Sequence, residues 1–433
     1  MMAVKVIGAG LAGCEAAWQI ANAGISVDLY EMKPQKYSPA HHYNGMAELV
    51  CSNSLKAARL DSAAGLLKAE MERLGSLIVP CAKQTQVEAG GALAVDREKF
   101  SDLVTNKIKR HTLINVISQE VDSVPEKNAI IATGPLTAGN LAISINEKCG
   151  DYLSFFDAAA PIVTYDSLDK DEIFFASRYG RGDADYINCA MNKEEYELFY
   201  NELINAQSAP LKEFDKESFK VYEGCMPVEV LAKRGEDTMR FGPLKPVGLV
   251  DKRTGKRPYA VVQLRKENKL GTLYNLVGFQ TNLKFGEQKR VFSLIPGLKN
   301  AEFVRYGVMH RNSFINSPKL LMGTFEMKKY PGIFFAGQIT GVEGYIESAA
   351  SGIIAGINMV RHLKAEPEFV MPPETMIGAL SSYISDSYNA DNFQPMGCNM
   401  GILPELGERI KDKQKKYQMY AERSLSKLDE LIN

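Results

Sequence analysis

Gly8, Gly10 and Gly13 follow the apolar run Val4-Lys5-Val6-Ile7 and open an alanine-rich stretch, the G-x-G-x-x-G spacing of a pyrophosphate-binding loop. The first glycine permits a tight turn. The second lets a pyrophosphate approach the backbone, and the third lets helix and strand pack closely. The whole loop, Gly8-Ala9-Gly10-Leu11-Ala12-Gly13, ends in a helix N-terminus whose amides and dipole suit phosphate. Glu31 stands 18 positions past Gly13, where a carboxylate can accept from an adenosine ribose hydroxyl.

Two of the seven cysteines lie in contexts that can activate a thiol. Cys51, in Val50-Cys51-Ser52-Asn53-Ser54, precedes a helix start signalled by N-capping residues, where thiol pKa values fall. Cys225, in Gly224-Cys225-Met226-Pro227-Val228-Glu229, occupies a non-helical turn that presents a side chain rather than burying it. Local sequence alone favours a structural role for each. The cysteines are scattered and no C-x-x-C pair suggests zinc or a dithiol centre, so no metal is expected.

Residues 233–290 hold 14 Lys/Arg against 5 Asp/Glu, with Phe241, Tyr259, Tyr274, Phe279 and Phe285 interleaved. The whole chain carries only −1, so this excess is local. A polyanion such as RNA would be drawn to it, through Lys252, Arg253, Lys256, Arg257, Lys284, Lys289 and Arg290. A solvated charged domain is the competing reading. Arg409, Lys411, Lys413, Lys415 and Lys416 read as a solvated face of a tail helix spanning 404–431.

These groups need a frame to hold them. At 433 residues, with 45% apolar residues, the chain calls for two or three domains. Val4–Ile7, a helix over 11–23 closed by Gly24, and Val27–Tyr30 make a βαβ start. Helices are expected at 63–74, 97–110 and 193–206, and an antiparallel hairpin over Gln84–Val95 around Gly90-Gly91. Two later strands, ending Ala132-Thr133-Gly134 and Ala336-Gly337, return to the dinucleotide theme, the second before a helix over 347–362. That late element favours FAD over NAD, with Gly337, Gln338, Gly341 and Gly344 on the flavin side. The expected fold is α/β, a Rossmann-type FAD-binding domain discontinuous in sequence, with an inserted mixed α/β domain. Its parts are 1–160, an insertion at 161–325, and 326–433. No apolar run reaches the ~18 residues a membrane span needs. A strand starting at Val4 leaves no room for a signal peptide, so a cytoplasmic protein is expected.

Several longer motifs now carry a resemblance: Val6–Glu15, Cys51-Ser52-Asn53-Ser54-Leu55, Ala92-Leu93-Ala94-Val95-Asp96-Arg97, Glu223–Pro227, Met309-His310-Arg311-Asn312 and Gly337–Tyr345. Over its whole length the chain resembles the TrmFO family of folate- and FAD-dependent tRNA uracil-5-methyltransferases. The resemblance implies 5-methyluridine formation at position 54 of the tRNA T-loop, with carbon from 5,10-methylenetetrahydrofolate and electrons from NADPH or NADH through FAD. It implies that Cys225 matches the family's nucleophile and Cys51 its second catalytic thiol, reversing the local reading. His310 and Arg311 become residues to hold folate, with a structural His310 still open. No obligate protein partner is evident. The same chemistry on a ribosomal RNA uridine is the alternative, with a non-catalytic flavin-dependent RNA-binding protein behind it. The longer GidA type, which modifies wobble uridine, needs a large C-terminal helical domain for which this chain has no room.

Overall fold

The computed structural model describes residues 3–150, 153–158, 160–180, 183–209, 226–268, 270–391, 393–407 and 410–432, with backbone alone for 153–158, His310 and Arg311. Its first sheet is mostly parallel, with the central Ala129–Ile131 run buried on both faces and exposure growing toward the Ile114–Ser118 edge. The order is β16 (Glu326–Met327), β17 (Tyr330–Phe335), β7 (Ala129–Ile131), β1 (Val4–Ile7), β2 (Val27–Glu31) and β6 (Ile114–Ser118). All neighbours are parallel except the β16 edge, and Val6 sits between Leu29 and Ile130 in register.

One sheet thus takes strands from both ends of the chain. The Leu11–Asn22 helix is buried along most of its length because the late Tyr345–Lys364 helix crosses it. Small residues make that crossing possible. A Cβ on Gly352 would lie 2.1 Å from the Ala12 carbonyl oxygen, and one on Gly356 2.9 Å from that of Ala16. Ala349, Ala350, Gly352, Ala355 and Gly356 are all buried, as the spacing of small residues implies.

The inserted region has its own antiparallel sheet, in the order β10 (Ile173–Phe175), β11 (Tyr186–Met191), β12 (Ala260–Lys266), β13 (Leu273–Leu276), β9 (Ile162–Thr164) and β14 (Phe303–Arg305). Its core is aromatic. Tyr196 and Phe199 of the Lys193–Asn205 helix are fully buried, as are Phe279 and Phe292. Asn192 caps that helix in a capping box with Glu195.

Two smaller pairings link these bodies. β3 (Ser54–Ala57) and β4 (Gln86–Val87) flank β5 (Ala92–Val95), while β8 (Leu153–Ala158) runs antiparallel to β15 (Met309–Phe314).

Some expectations shift. Gln84 ends a helix, Ile78–Gln84, and the hairpin is confined to β4 and β5. The late helix begins at Tyr345, and the tail helix spans Lys413–Ile432 instead of starting at 404. Pro404 and Gly407 stand in that earlier stretch, where neither favours helix. Phe314, Ile315, Leu321 and Phe325, assigned by sequence to the insertion, pack in the first core, so the second core ends near Phe303.

Candidate active site

The first sheet's loops enclose a cavity of about 380 Å³. Its walls include Gly8–Ala12, Glu31, Lys33, His41, Cys51, Gln119–Val121, Thr133–Ala138, Gly337, Gln338, Tyr345 and Ser348. The three glycines of the loop serve distinct ends. Gly8 has a φ of +97°, and a Cβ there would sit 2.6 Å from the Ala132 carbonyl oxygen. A Cβ on Gly13 would collide with the Gly8 carbonyl oxygen at 1.8 Å. At Gly10 the φ is an ordinary −73° and a Cβ would meet nothing within 4 Å. Neither strain nor packing explains that glycine, but a ligand lying against the backbone does.

The polar fittings agree. Glu31 Oε2 accepts from the Ala9 amide at 2.9 Å and Oε1 from the Lys33 amide at 3.1 Å, which fixes the carboxylate at the cavity wall. Further lone pairs remain for a ribose hydroxyl. Lys33 is pinned through Nζ to the Tyr43 and Gly45 carbonyls at 2.9 and 2.6 Å, and to Glu48 at 3.1 Å. Gln338 Nε2 donates to Glu343 at 2.5 Å, holding the side chain against the cavity. With a helix N-terminus at its centre, this cradle fits a dinucleotide.

Cys51 is half-buried on the same wall and is held by parts remote in sequence. Its amide donates to the Tyr345 hydroxyl at 2.7 Å, as does that of Ser52 at 3.3 Å. Its carbonyl accepts from Arg97 Nη2 at 3.4 Å and Arg305 Nη2 at 3.2 Å, while Arg305 Nη1 reaches the Val50 carbonyl at 3.2 Å. Arg97 also binds the Leu49 carbonyl and pairs with the buried Glu267. Arg265 donates to Asn53 Oδ1 at 3.1 Å and Ser52 Oγ at 2.7 Å. Arg265 lies near the end of the interior strand β12 and Arg305 ends the edge strand β14, so the inserted sheet grips the Cys51 loop.

Burial disfavours charge on the guanidinium groups of Arg265 and Arg305, and Arg305 is pushed down to about 10, with Arg97 adding to the effect. Burial also holds the Tyr345 hydroxyl well above its usual range. An anion at Cys51 would relieve the first strain. Burial pushes the thiols of Cys81 up to about 11 and of Cys149 and Cys189 to about 12, with Cys14 and Cys398 also raised. They are packing residues.

Gly8, Ala9, Gly10, Leu11, Ala12, Glu31, Gly337, Gln338 and Cys51 therefore meet at one cavity. Gly13, Gly341 and Gly344 do not line it. Gly341 lies under Phe393, where a Cβ would be 2.5 Å from the ring, and Gly344 has a φ of +122° at the start of the late helix. Cys225 lies outside the described residues. The β15 backbone puts His310 and Arg311 beside Asn312, which lines the cavity.

The basic stretch divides. Lys252, Lys256, Arg257 and Lys289 are exposed. Arg253, however, is tied to Asp251 at 2.9 Å and Glu172 at 2.8 Å, Arg290 pairs with Glu202 and Glu287, and Lys284 bonds Gln207 at 2.9 Å. Tyr274 and Phe279 are core residues rather than surface rings. Sequence reading missed Arg97, Arg305 and Tyr345 as holders of Cys51. Arg97 and Tyr345 stood in the motifs quoted above, whereas nothing around Arg305 marks it.

A family model described as glucose inhibited division protein A matches residues 3–367. A methylenetetrahydrofolate--tRNA-(uracil-5-)-methyltransferase TrmFO of Acetivibrio thermocellus is 61% identical over 99% of this chain and 98% of its own length. One from Bacillus pumilus is 58% identical over 98% and 97%. A solved Aquifex aeolicus GidA structure superposes with a TM-score of 0.69 at 17% identity, covering 99% of this chain and 73% of that one, a likeness of fold.

Proposed function

The chain belongs to the TrmFO family, within the wider family described as glucose inhibited division protein A, and on that premise we propose that it methylates C5 of a tRNA uridine, using 5,10-methylenetetrahydrofolate, FAD and NADPH or NADH. The target is position 54 of the T-loop, and the protein works in the cytoplasm. Among the described residues, no helix is long and apolar enough to cross a membrane. The observation that best supports this reading is Cys51, a thiol on the wall of a dinucleotide cradle, clamped by three remote side chains.

Uracil C5 is a poor nucleophile until a thiolate adds at C6. Cys225 takes that role on the strength of its motif. The C5 carbanion so formed attacks the one-carbon unit, and Cys51 then removes the C5 proton so that the Cys225 thiolate leaves C6. Tyr345, Arg97 and Arg305 fix the loop so that the thiol stays beside the cradle. Bound in that cradle, FAD supplies electron and one-carbon transfer chemistry that side chains lack. The Leu11–Asn22 helix N-terminus and the Gly10 backbone hold its pyrophosphate, Glu31 a ribose hydroxyl and Gln338 a ribityl hydroxyl. His310 and Arg311 hold the folate.

The test is an unmodified tRNA transcript incubated with purified, flavin-loaded protein, methylenetetrahydrofolate and NADPH or NADH, then read by nucleoside mass spectrometry. We expect 5-methyluridine in the T-loop fragment. Absence of product, or product on ribosomal RNA alone, overturns the reading.

A further inference from the structure

The inserted domain's aromatic core does not stop at the surface. Phe292 is fully buried, and Phe303 lies 6.4 Å from it. Tyr306 stacks on Phe303 at 5.4 Å with planes 9° apart, and Phe285 stacks on Tyr306 at 4.9 Å and 15°. Phe285, the last rung, is 55% exposed. Three near-parallel rings thus climb from the core to solvent.

The ladder is held rigidly. Gln288, fully buried, exchanges two 2.8 Å hydrogen bonds with the Gly307 backbone and donates to the Leu283 carbonyl at 2.7 Å. That locks the Phe285–Phe292 helix to the turn carrying Tyr306. Exposed Lys289 and Lys299 line a groove with Phe303, Tyr306 and the acid Glu302, and exposed Lys284, bonded to Gln207, precedes Phe285 in the chain. Arg305, adjacent in sequence to Tyr306, is the residue whose guanidinium reaches the Cys51 carbonyl.

We propose that the open face of Phe285 stacks with one unpaired base of the RNA substrate while Lys284, Lys289 and Lys299 meet its flanking phosphates. This rests on the tRNA methyltransferase reading and deepens it. Unpaired loop bases are recognised by stacking on aromatic rings, and lysines flanking the ring track the backbone. A protein partner would bring no comparable need for a ring with a cationic rim. The position also makes sense: a base seated there lies on the same turn that steadies the Cys51 loop.

The experiment measures tRNA affinity as a function of salt for Phe285→Ala, Phe285→Trp and the triple variant Lys284→Gln/Lys289→Gln/Lys299→Gln. Flavin content and melting temperature report whether each variant folds. Phe285→Ala should weaken binding about tenfold without changing the salt slope, because stacking releases no counterions. Phe285→Trp should bind at least as well as the parent. The triple variant should flatten the slope by two to three. A folded Phe285→Ala that binds tRNA within twofold of the parent overturns the proposal. So does one that keeps its tRNA affinity and instead raises KM for methylenetetrahydrofolate. A parent protein that binds no tRNA removes the functional reading itself, which separates the two failures.

Discussion

The parent domain and its insertion are packed by opposite means. Where the Leu11–Asn22 and Tyr345–Lys364 helices cross, backbones touch and no side chain fits. In the insertion, large rings fill the space between sheet and helix. The contrast follows from what each must hold. A pyrophosphate needs bare backbone and a helix end, so glycine and alanine recur at fixed spacing. A domain that grips a loop and meets a polyanion needs rings and guanidinium groups, and these obey no spacing rule.

The strongest test of that contrast pairs two core substitutions. Gly352→Leu drives a side chain into the Ala12 backbone and should cost more than about 3 kcal/mol, with loss of bound flavin. Phe292→Leu should cost only about 1–2 kcal/mol and leave the flavin in place. Melting temperature and flavin absorbance together decide it. Equal losses in both would erase the distinction.

The cysteines, one gripped from the insertion and one carried within it, come next. Cys225→Ala should lower methylation by about four orders of magnitude and abolish the covalent adduct with RNA carrying 5-fluorouridine at the target, since fluorine cannot leave as a proton does. Cys51→Ala should block methylation yet keep the adduct, visible on a denaturing gel. An adduct that survives only in Cys225→Ala would exchange their roles.

Gly10→Val sharpens the comparison inside the parent domain, because that glycine faces open space. The variant should melt near the flavin-free parent, within about 1 kcal/mol, but retain no flavin after desalting. A yellow variant would remove the reason given for Gly10. The smallest effect belongs to the exposed basic turn. Neutralising Lys252, Lys256 and Arg257 together should reduce the salt slope of tRNA binding by up to three and leave catalysis at saturating tRNA unchanged. Arg253 is left in place because it ties the turn to Asp251 and Glu172. An unaltered slope would make this turn an ordinary solvated face.

How far the sequence could be read follows the same divide. The βαβ start, Glu31 and the late glycine turn emerged to within a residue or two, because local spacing encodes them. Gly341, expected on the flavin side, packs under Phe393, a partner that only the folded chain brings near. Arg265 counted toward a basic surface, yet it is buried against Ser52 and Asn53, more than 200 positions away. Net charge over a window cannot tell a guanidinium that faces water from one that spans two domains.

The strand order has a consequence for synthesis on the ribosome. β7 is complete once Ile131 emerges, but its outer neighbour β17 starts at Tyr330. About 200 residues separate the two, roughly 10–40 s of translation at common elongation rates. Throughout that interval one edge of the nascent sheet offers unpaired amides and carbonyls, the template on which strands from other chains can add. The insertion, with a core of its own, can fold inside the same interval. Anything that stalls elongation between these points lengthens the life of an open edge, so solubility of this chain should depend on translation speed as well as on stability.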